Sequence, residues 1–268
     1  MKKTVISHFY NEEYLLPFWL KHHRGMFDHG ILIDYASTDR SRAIIKELTP
    51  TWEIVPSRNK YFHGFAIDEE VFYYEAKTEG WKITLNISEF IFCIDFNGLV
   101  ADISRPVNNN VNGLFFAPIT MVDRPELIGA ELDPNFPYVL QRCFGSKGMK
   151  NPRGSERLLH RRSKGEYVGA GRHTSSMRNA LRIPGLYHMW LGFSPLDEKS
   201  IQRKLSFKEK IITEDGTYPR DHATGGAHLV TRDELFRQIG WHQARYCSDL
   251  TADPELRKIY DFYIKYYE

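Results

Sequence analysis

The chain has 268 residues, of which 42% are hydrophobic and 14% aromatic, and a formal charge of +2. That is enough apolar material for one large domain or two small ones, and it excludes global disorder. A charge so near zero gives no electrostatic case for nucleic acid or an acidic membrane as partner.

Met1-Lys2-Lys3 leads into about five apolar-leaning residues, short of the ~7–15 of a secretory-signal core. Residues 4–7 read as a short buried strand. His8-Phe9-Tyr10-Asn11-Glu12-Glu13 follows it and opens an amphipathic helix in which Leu15, Leu16, Phe18, Trp19 and Leu20 recur at helical spacing. Lys21, His22, His23 and Arg24 close that helix, where cations suit the dipole. A second strand at 31–33 ends in Asp34-Tyr35-Ala36-Ser37-Thr38-Asp39-Arg40-Ser41. Ser37 or Thr38 is the expected cap of a helix over 39–48. A third strand follows at 52–55, then a helix over 66–77 ended by Gly80. A fourth strand at 81–85 runs into Asn86-Ile87-Ser88-Glu89-Phe90. This βαβαβαβ alternation predicts a mostly parallel sheet with right-handed crossovers.

The second half is less regular. A strand is expected at 114–117, and residues 143–176 read as a Gly-, Arg-, Lys- and Ser-rich loop with short strands at 157–160 and 167–168. A helix is expected over 195–211, a polar loop over 214–226, and two helices at 231–239 and 253–266. There is no internal repeat and no linker, so a single domain over 1–268 is the simplest organisation. In open α/β sheets, ligands sit beyond the carboxyl ends of strands. The two polar clusters after the first two strands occupy such ends, where a nucleotide would be expected.

Asn11-Glu12-Glu13, and Asp34-x-x-Ser37-Thr38-Asp39-x-Ser41 on the next strand, resemble the nucleotide-binding half of family 2-type glycosyltransferases of the GT-A fold. The likeness runs over residues 3–90 and more patchily to about 230, and is nearest to small members whose first loop reads His-Phe-Tyr-Asn-Glu-Glu. It implies a GT-A-like mostly parallel sheet flanked by helices, with a nucleotide-binding half over about 1–100, an acceptor half over 101–230 and a helical extension over 231–268. It further implies transfer of a hexose or pentose, with inversion, from a nucleotide sugar (a UDP-sugar favoured) to a hydroxyl of a glycan acceptor. His8, Phe9, Tyr10 and Glu12 would line the nucleoside, and Asp34 would hold the base or ribose. A carboxylate accepts from a ring N–H or ribose hydroxyl, and a wrong base leaves it unpaired at a cost of about 1–3 kcal/mol. Without the resemblance, Glu12 and Glu13 read as first-turn acids, and Asp39 as a loop-ordering residue or cap.

The family's Asp-x-Asp motif falls on Asn86-Ile87-Ser88, which has lost both carboxylates. Asn86 and Ser88 would then meet the diphosphate, with Glu89 and His188 as ligands of Mn²⁺ or Mg²⁺. Such ions favour anionic oxygen, so a metal-independent reaction is the alternative. A rival frame uses Ile94-Asp95-Phe96-Asn97 and keeps one carboxylate. Cations that could replace a metal crowd one segment, from Lys147, Lys150 and Arg153 through Arg157, Arg161, Arg162 and Lys164 to Arg172. Arg172 and His173, in Gly169-Ala170-Gly171-Arg172-His173, are the expected aids to the leaving group and acceptor.

Asp215, in Thr213-Glu214-Asp215, is the first expectation for the base that activates the acceptor, with Asp221 and Glu131 behind it. The loop 214–228, with His222, His228, Gly216, Gly225 and Gly226, is the expected lid. Trp190, Phe193 and Trp241 are open to either sugar stacking or a place in the core. The rival function is an inactive GT-A module that binds nucleotide or glycan. A nucleotidyltransferase or dehydrogenase is disfavoured because the first loop carries no glycine. Cys93, Cys143 and Cys247 show no CxxC spacing, which suits a reducing, cytoplasmic setting, with peripheral membrane contact left open.

Overall fold

The computed structural model describes residues 1–60, 62–147, 156–211 and 231–267. Four parallel strands form one half of the sheet, in the order β3 (Glu53–Pro56), β2 (His29–Asp34), β1 (Lys3–Phe9), β4 (Trp81–Thr84). Side chains alternate across a strand, so successive residues feed opposite faces. Val5, Leu32 and Ile83 enter a large core with α1 (Leu16–His23) and α2 (Ser41–Leu48). Ile6, Ile31, Ile33 and Val55 enter a smaller one with Ile67 and Val71 of α3 (Gly64–Lys77). Both faces of β1, β2 and β4 are therefore covered, which explains why these strands are rich in apolar residues without a clean alternation.

Beyond β4 the pairing turns largely antiparallel. β8 (Arg157–His160) joins β4 to β6 (Gly113–Val122), which continues to β7 (Phe144–Lys147) and β10 (Ser248–Asp249). The sheet's longest strand, β9 (Ala180–Phe193), runs parallel to β6 and antiparallel to β5 (Glu89–Phe92). The α/β class and helix-flanked central sheet are those expected, with the parallel pairing concentrated in the first half.

Several elements differ from expectation. Residues 86–92 form a turn and a strand, and α4 (Phe96–Ile103) follows. Asp95 takes a left-handed φ of 43° and caps α4, accepting from Gly98 N at 2.9 Å. That role, outside the main cleft, removes the rival metal frame built on it. The helix expected over 195–211 is α6 (Glu198–Ser206) followed by a tighter turn. A strand was not expected over 180–193, because its first half is exposed although mostly apolar and contains Pro184 and Gly185, while the rest is buried, leaving no alternation.

Of the C-terminal pair, α7 (Arg232–Tyr246) packs Leu235 and Ile239 against Val122, Phe193, Leu196 and Ile201. α8 (Pro254–Tyr267) buries Leu256, Ile259, Tyr260 and Tyr263 in the main core, over the far end of β5. Two buried histidines fasten α1 to that strand. Ile91 N donates to His23 Nε2 at 3.2 Å, so His23 carries its proton on Nδ1 and donates it to Trp19 O at 2.9 Å. His22 Nε2 donates to Ile91 O at 2.7 Å. Among the described residues, no helix is long and apolar enough to cross a membrane.

Candidate functional site

The two polar loops noted in the sequence clasp each other. Asn11 takes φ 49°, which turns three successive N–H groups towards the second loop. Asn11 N donates to Ser37 Oγ (3.1 Å), Glu12 N to Ser41 Oγ (2.8 Å) and Glu13 N to Asp39 Oδ2 (2.9 Å). In return, Asn11 Oδ1 accepts from Thr38 N (2.8 Å) and Glu13 from Arg40 N (3.0 Å). The motif thus satisfies donors ahead of α1 that would otherwise be orphaned. Asp39 also accepts from Ser41 N at 2.9 Å, so it orders the start of α2 in place of the expected Ser37 or Thr38 cap.

Above these loops, at the carboxyl ends of β1, β2 and β4, lies a cleft of about 420 Å³. One wall is aromatic, built from His8, Phe9, Tyr10, Tyr35 and Phe62. Asn86, Ile87, Ser88 and Glu89 form the floor after β4, and the first turn of α3 contributes Gly64 and Asp68. The lining is completed by Gly171, Arg172 and His173, the end of β9 with Trp190 and Gly192, and Arg203 and Lys204 of α6. The volume lies within the roughly 300–1,000 Å³ of small-molecule sites.

Charge at the cleft is organised as carboxylate–guanidinium pairs. Glu12 meets Arg203 Nε at 2.5 Å, with both side chains mostly buried. Burial raises Glu12 above the usual carboxylate range, and Arg203 pulls against it. Asp68 pairs with Arg172 and accepts from Gly171 N at 2.8 Å. Burial raises Asp68 too, against the pull of Arg172. This double grip holds two consecutive left-handed residues, Gly171 at φ 86° and Arg172 at φ 57°. A non-glycine residue held there is strained, and such strain clusters at functional sites.

Glu89 is 1% exposed and accepts from Arg157 Nε (2.7 Å), Arg157 Nη2 (2.5 Å), Asn86 N (2.8 Å) and Asn86 Nδ2 (3.1 Å). Although burial opposes ionisation, Arg157 holds its carboxyl down at about 2. Arg157 Nη1 reaches over to Gly171 O (3.1 Å) and Arg172 O (3.0 Å), tying Glu89 to the turn at 171–172. Lys204 has no carboxylate partner among the described residues, and its Nζ donates to Gly192 O at 2.5 Å.

The structure brings His8, Phe9, Tyr10, Glu12, Asn86 and Ser88 together at one cleft, with Glu89, Arg172 and His173. Two expected residues are not there. Asp34 is 3% exposed, outside the cleft lining, and its carboxylate accepts from Ser37 N (2.9 Å) and Arg42 Nη1 (2.5 Å). It orders the second loop, and the next residue, Tyr35, faces the cleft instead. His188 is fully buried behind the cleft, with Nδ1 on Phe116 O at 3.2 Å, and burial lowers it to about 4. Asp215 lies outside the described residues, as do Asp221 and the expected lid.

Of the described members of the basic segment, Arg172 lines the cleft and Arg157 reaches it through Glu89, while the others do not line it. Lys147 pairs with Asp253 and Glu255, and Arg161 donates to Asn109 O. Lys150 and Arg153 lie outside the described residues. Glu131 forms an exposed pair with Lys199, and Trp241 stacks on Arg245 away from the cleft.

A divalent ion does not fit the donor set expected for it. The oxygens of Glu89 already take four donors, two from Arg157 and two from Asn86. His188 is sealed behind the strand, and the described residues contain no group of three His, Cys, Asp or Glu able to hold a metal. A guanidinium stands on the carboxylate that a metal would need.

Sequence reasoning missed Asp68, Arg203 and Lys204. Asp68 reads as one more acid in an acidic helix, and Arg203-Lys204 as the solvated face of an amphipathic one. Their partners are 104 and 191 residues away in the chain, for Asp68 and Arg203 respectively, so no local spacing announces them.

No family model and no curated protein matches the chain. Among solved structures it is similar to TarS of S. aureus, at 14% identity over 91% of this chain and 44% of that one, with a TM-score of 0.42. The chain therefore spans under half the length of that protein. A structure of TarS 1–349 in complex with UDP-GlcNAc is 12% identical over 91% of this chain and 74% of that one, with a TM-score of 0.42. Glucosyl-3-phosphoglycerate synthase from Mycobacterium tuberculosis, in complex with Mn²⁺, UDP and glucosyl-3-phosphoglycerate, is 15% identical over 76% of each chain, with a TM-score of 0.41.

Proposed function

We propose that the protein is a glycosyltransferase of GT-A type that binds a nucleotide sugar in this cleft and passes the sugar to a hydroxyl of a glycan acceptor. One observation carries the reading: a cleft at the carboxyl ends of β1, β2 and β4 is lined by both aromatic rings and side-chain cations. Aromatic faces suit a base, and guanidinium and ammonium groups suit a diphosphate. His8, Phe9, Tyr10 and Tyr35 enclose the nucleoside, with a UDP-sugar the favoured donor. Asn86 and Ser88 offer neutral hydrogen bonds to the diphosphate. Arg172, held by Asp68, stabilises the charge that develops on the leaving group. His173 stands beside it at the acceptor end. Asp215 remains the proposed acceptor base and the reaction an inverting one, both on sequence grounds.

Mn²⁺ or Mg²⁺ would supply Lewis-acid stabilisation in related chemistry. The paired state of Glu89 supports a reaction in which side-chain cations do that work. A second reading, a binding module without transfer chemistry, draws on the same observation, since Asn86 and Ser88 replace both expected carboxylates.

The test is a thermal-shift panel of UDP, GDP, CDP and dTDP, followed by hydrolysis of the matching nucleotide sugars with Mn²⁺ and with EDTA. A bound nucleotide at a hundred times its Kd raises stability by about 2.7 kcal/mol. Stabilisation by one base together with slow sugar release supports the transferase. Stabilisation without release under any condition supports the binding module, and no stabilisation by any nucleotide removes both.

A further inference from the structure

We infer that Lys204 is an anion-binding residue of this cleft, whose ammonium takes a phosphate group of the bound ligand where a divalent ion would otherwise stand. The ligand's being a nucleotide rests on the function proposed above, whereas the anion site itself rests on charge and geometry.

The three guanidinium groups at the cleft each have a carboxylate: Arg203 has Glu12, Arg172 has Asp68, and Arg157 has Glu89. These pairs leave little net charge for a diphosphate. Lys204 lines the cleft and has no carboxylate partner among the described residues, only Gly192 O at 2.5 Å and the Phe193 ring at 5.8 Å. An ammonium has three donors, so two stay available after the carbonyl is served. The charged groups facing it are Arg203 on its own helix and Glu12 from the turn after β1. β9 presents a carbonyl and a phenyl ring, and α7 lines the cleft with Leu235 and Gln238, which do not titrate. Elsewhere on the lining, the titratable groups are His8, Tyr10, Tyr35, His173, Asp68, Arg172 and Glu89.

Burial and Arg203 lower Lys204 to about 7, with Glu12 opposing. An anion beside it acts in the opposite sense, so binding above neutral pH draws a proton onto Lys204. Proton uptake is a signature that neither a merely structural lysine nor a metal would produce.

The experiment is calorimetric titration of UDP, and separately of inorganic pyrophosphate, at pH 8 with EDTA, in two buffers of different ionisation enthalpy. For the wild type we expect binding with uptake of about 0.9 proton, since a lysine titrating near 7 is mostly neutral at pH 8. Lys204→Met should weaken both ligands by about 10–100-fold at pH 6.5 and abolish uptake at pH 8, as loss of a charge-assisted bond does. Lys204→Arg, charged at every pH tested, should bind within about threefold of wild type at pH 6.5 and show no uptake at pH 8, which also shows that the fold is intact. Binding to Lys204→Met within twofold of wild type, with unchanged uptake, overturns the inference, as does a wild type that binds neither ligand. Pyrophosphate bound through Lys204 with no gain from the nucleoside would uphold the anion site and sink the nucleotide reading.

Discussion

Replacing Glu89 by Gln removes one charge and almost no volume from the most enclosed ion pair at the cleft. The Glu89 and Arg157 side chains are 2% and 3% exposed, and the carboxylate accepts from both Nε and Nη2. A carboxyl held at about 2, when its ordinary value is 4.5, favours the native state by about 3 kcal/mol at neutral pH. Because the folded value is depressed, that contribution is complete above pH 4.5 and is lost as pH falls through 2. Deletion of one partner from a buried pair costs about 3–5 kcal/mol, because the other charge is left stranded. Both routes give a Glu89→Gln loss of about 3 kcal/mol or more, measurable by urea unfolding at pH 7. Glu89→Gln combined with Arg157→Met should regain much of it, since no lone charge then remains. Mn²⁺ without nucleotide should leave the wild-type midpoint unmoved. A Glu89→Gln loss under 1 kcal/mol, or clear stabilisation of the wild type by Mn²⁺ alone, would refute the assignment of Glu89 to Arg157.

Three further outcomes follow from the same physics. His22 and His188 are held neutral by burial, each lowered to about 4, so the unfolded chain takes up protons below pH 6.5 while the native one does not. Native stability should therefore be full above pH 6.5 and fall by about 3 kcal/mol per histidine as pH drops to 4, and a flat profile across that window in urea unfolding would contradict it. Asp34→Asn should weaken Arg42 and the Ser37 turn, costing about 1–3 kcal/mol, yet leave nucleotide affinity within about threefold; loss of nucleotide binding with stability unchanged would return Asp34 to the site. Gly80→Ala should cost about 2–4 kcal/mol by thermal or urea unfolding, because Gly80 has φ 80° and a Cβ there would sit 2.3 Å from Lys2 O; a neutral substitution would show that this chain crossing can shift.

Much of the first half is legible before folding. Residues 4–7, 31–33, 52–55 and 81–85 announce strands by short runs rich in apolar residues, and in all but the third nearly every residue is buried. Helices α1, α2 and α3 announce themselves by spacing and by the loops that start them. The polar clusters at 10–13 and 34–41 are visible because polar residues immediately after a buried strand need a reason. Their partners are not visible. In the folded chain much of that polarity serves the opposite loop, and Asp34 is spent on Arg42 while its neighbour Tyr35 faces the cleft. A difference of one residue at a strand end reverses which face a side chain takes, and the strand's own composition does not decide it.

The amino-acid order by itself determined an α/β sheet and where along the chain its cleft-lining loops fall, because periodicity and strand-end polarity are local properties. Which cations meet which acids was decided only by tertiary structure. Glu12 finds Arg203 across 191 residues, Asp68 finds Arg172 across 104, and Lys204 pairs with no carboxylate among the described residues. Electrostatics in a partly buried cleft depends on distance and solvent exposure, and both are set by packing rather than by neighbours in sequence.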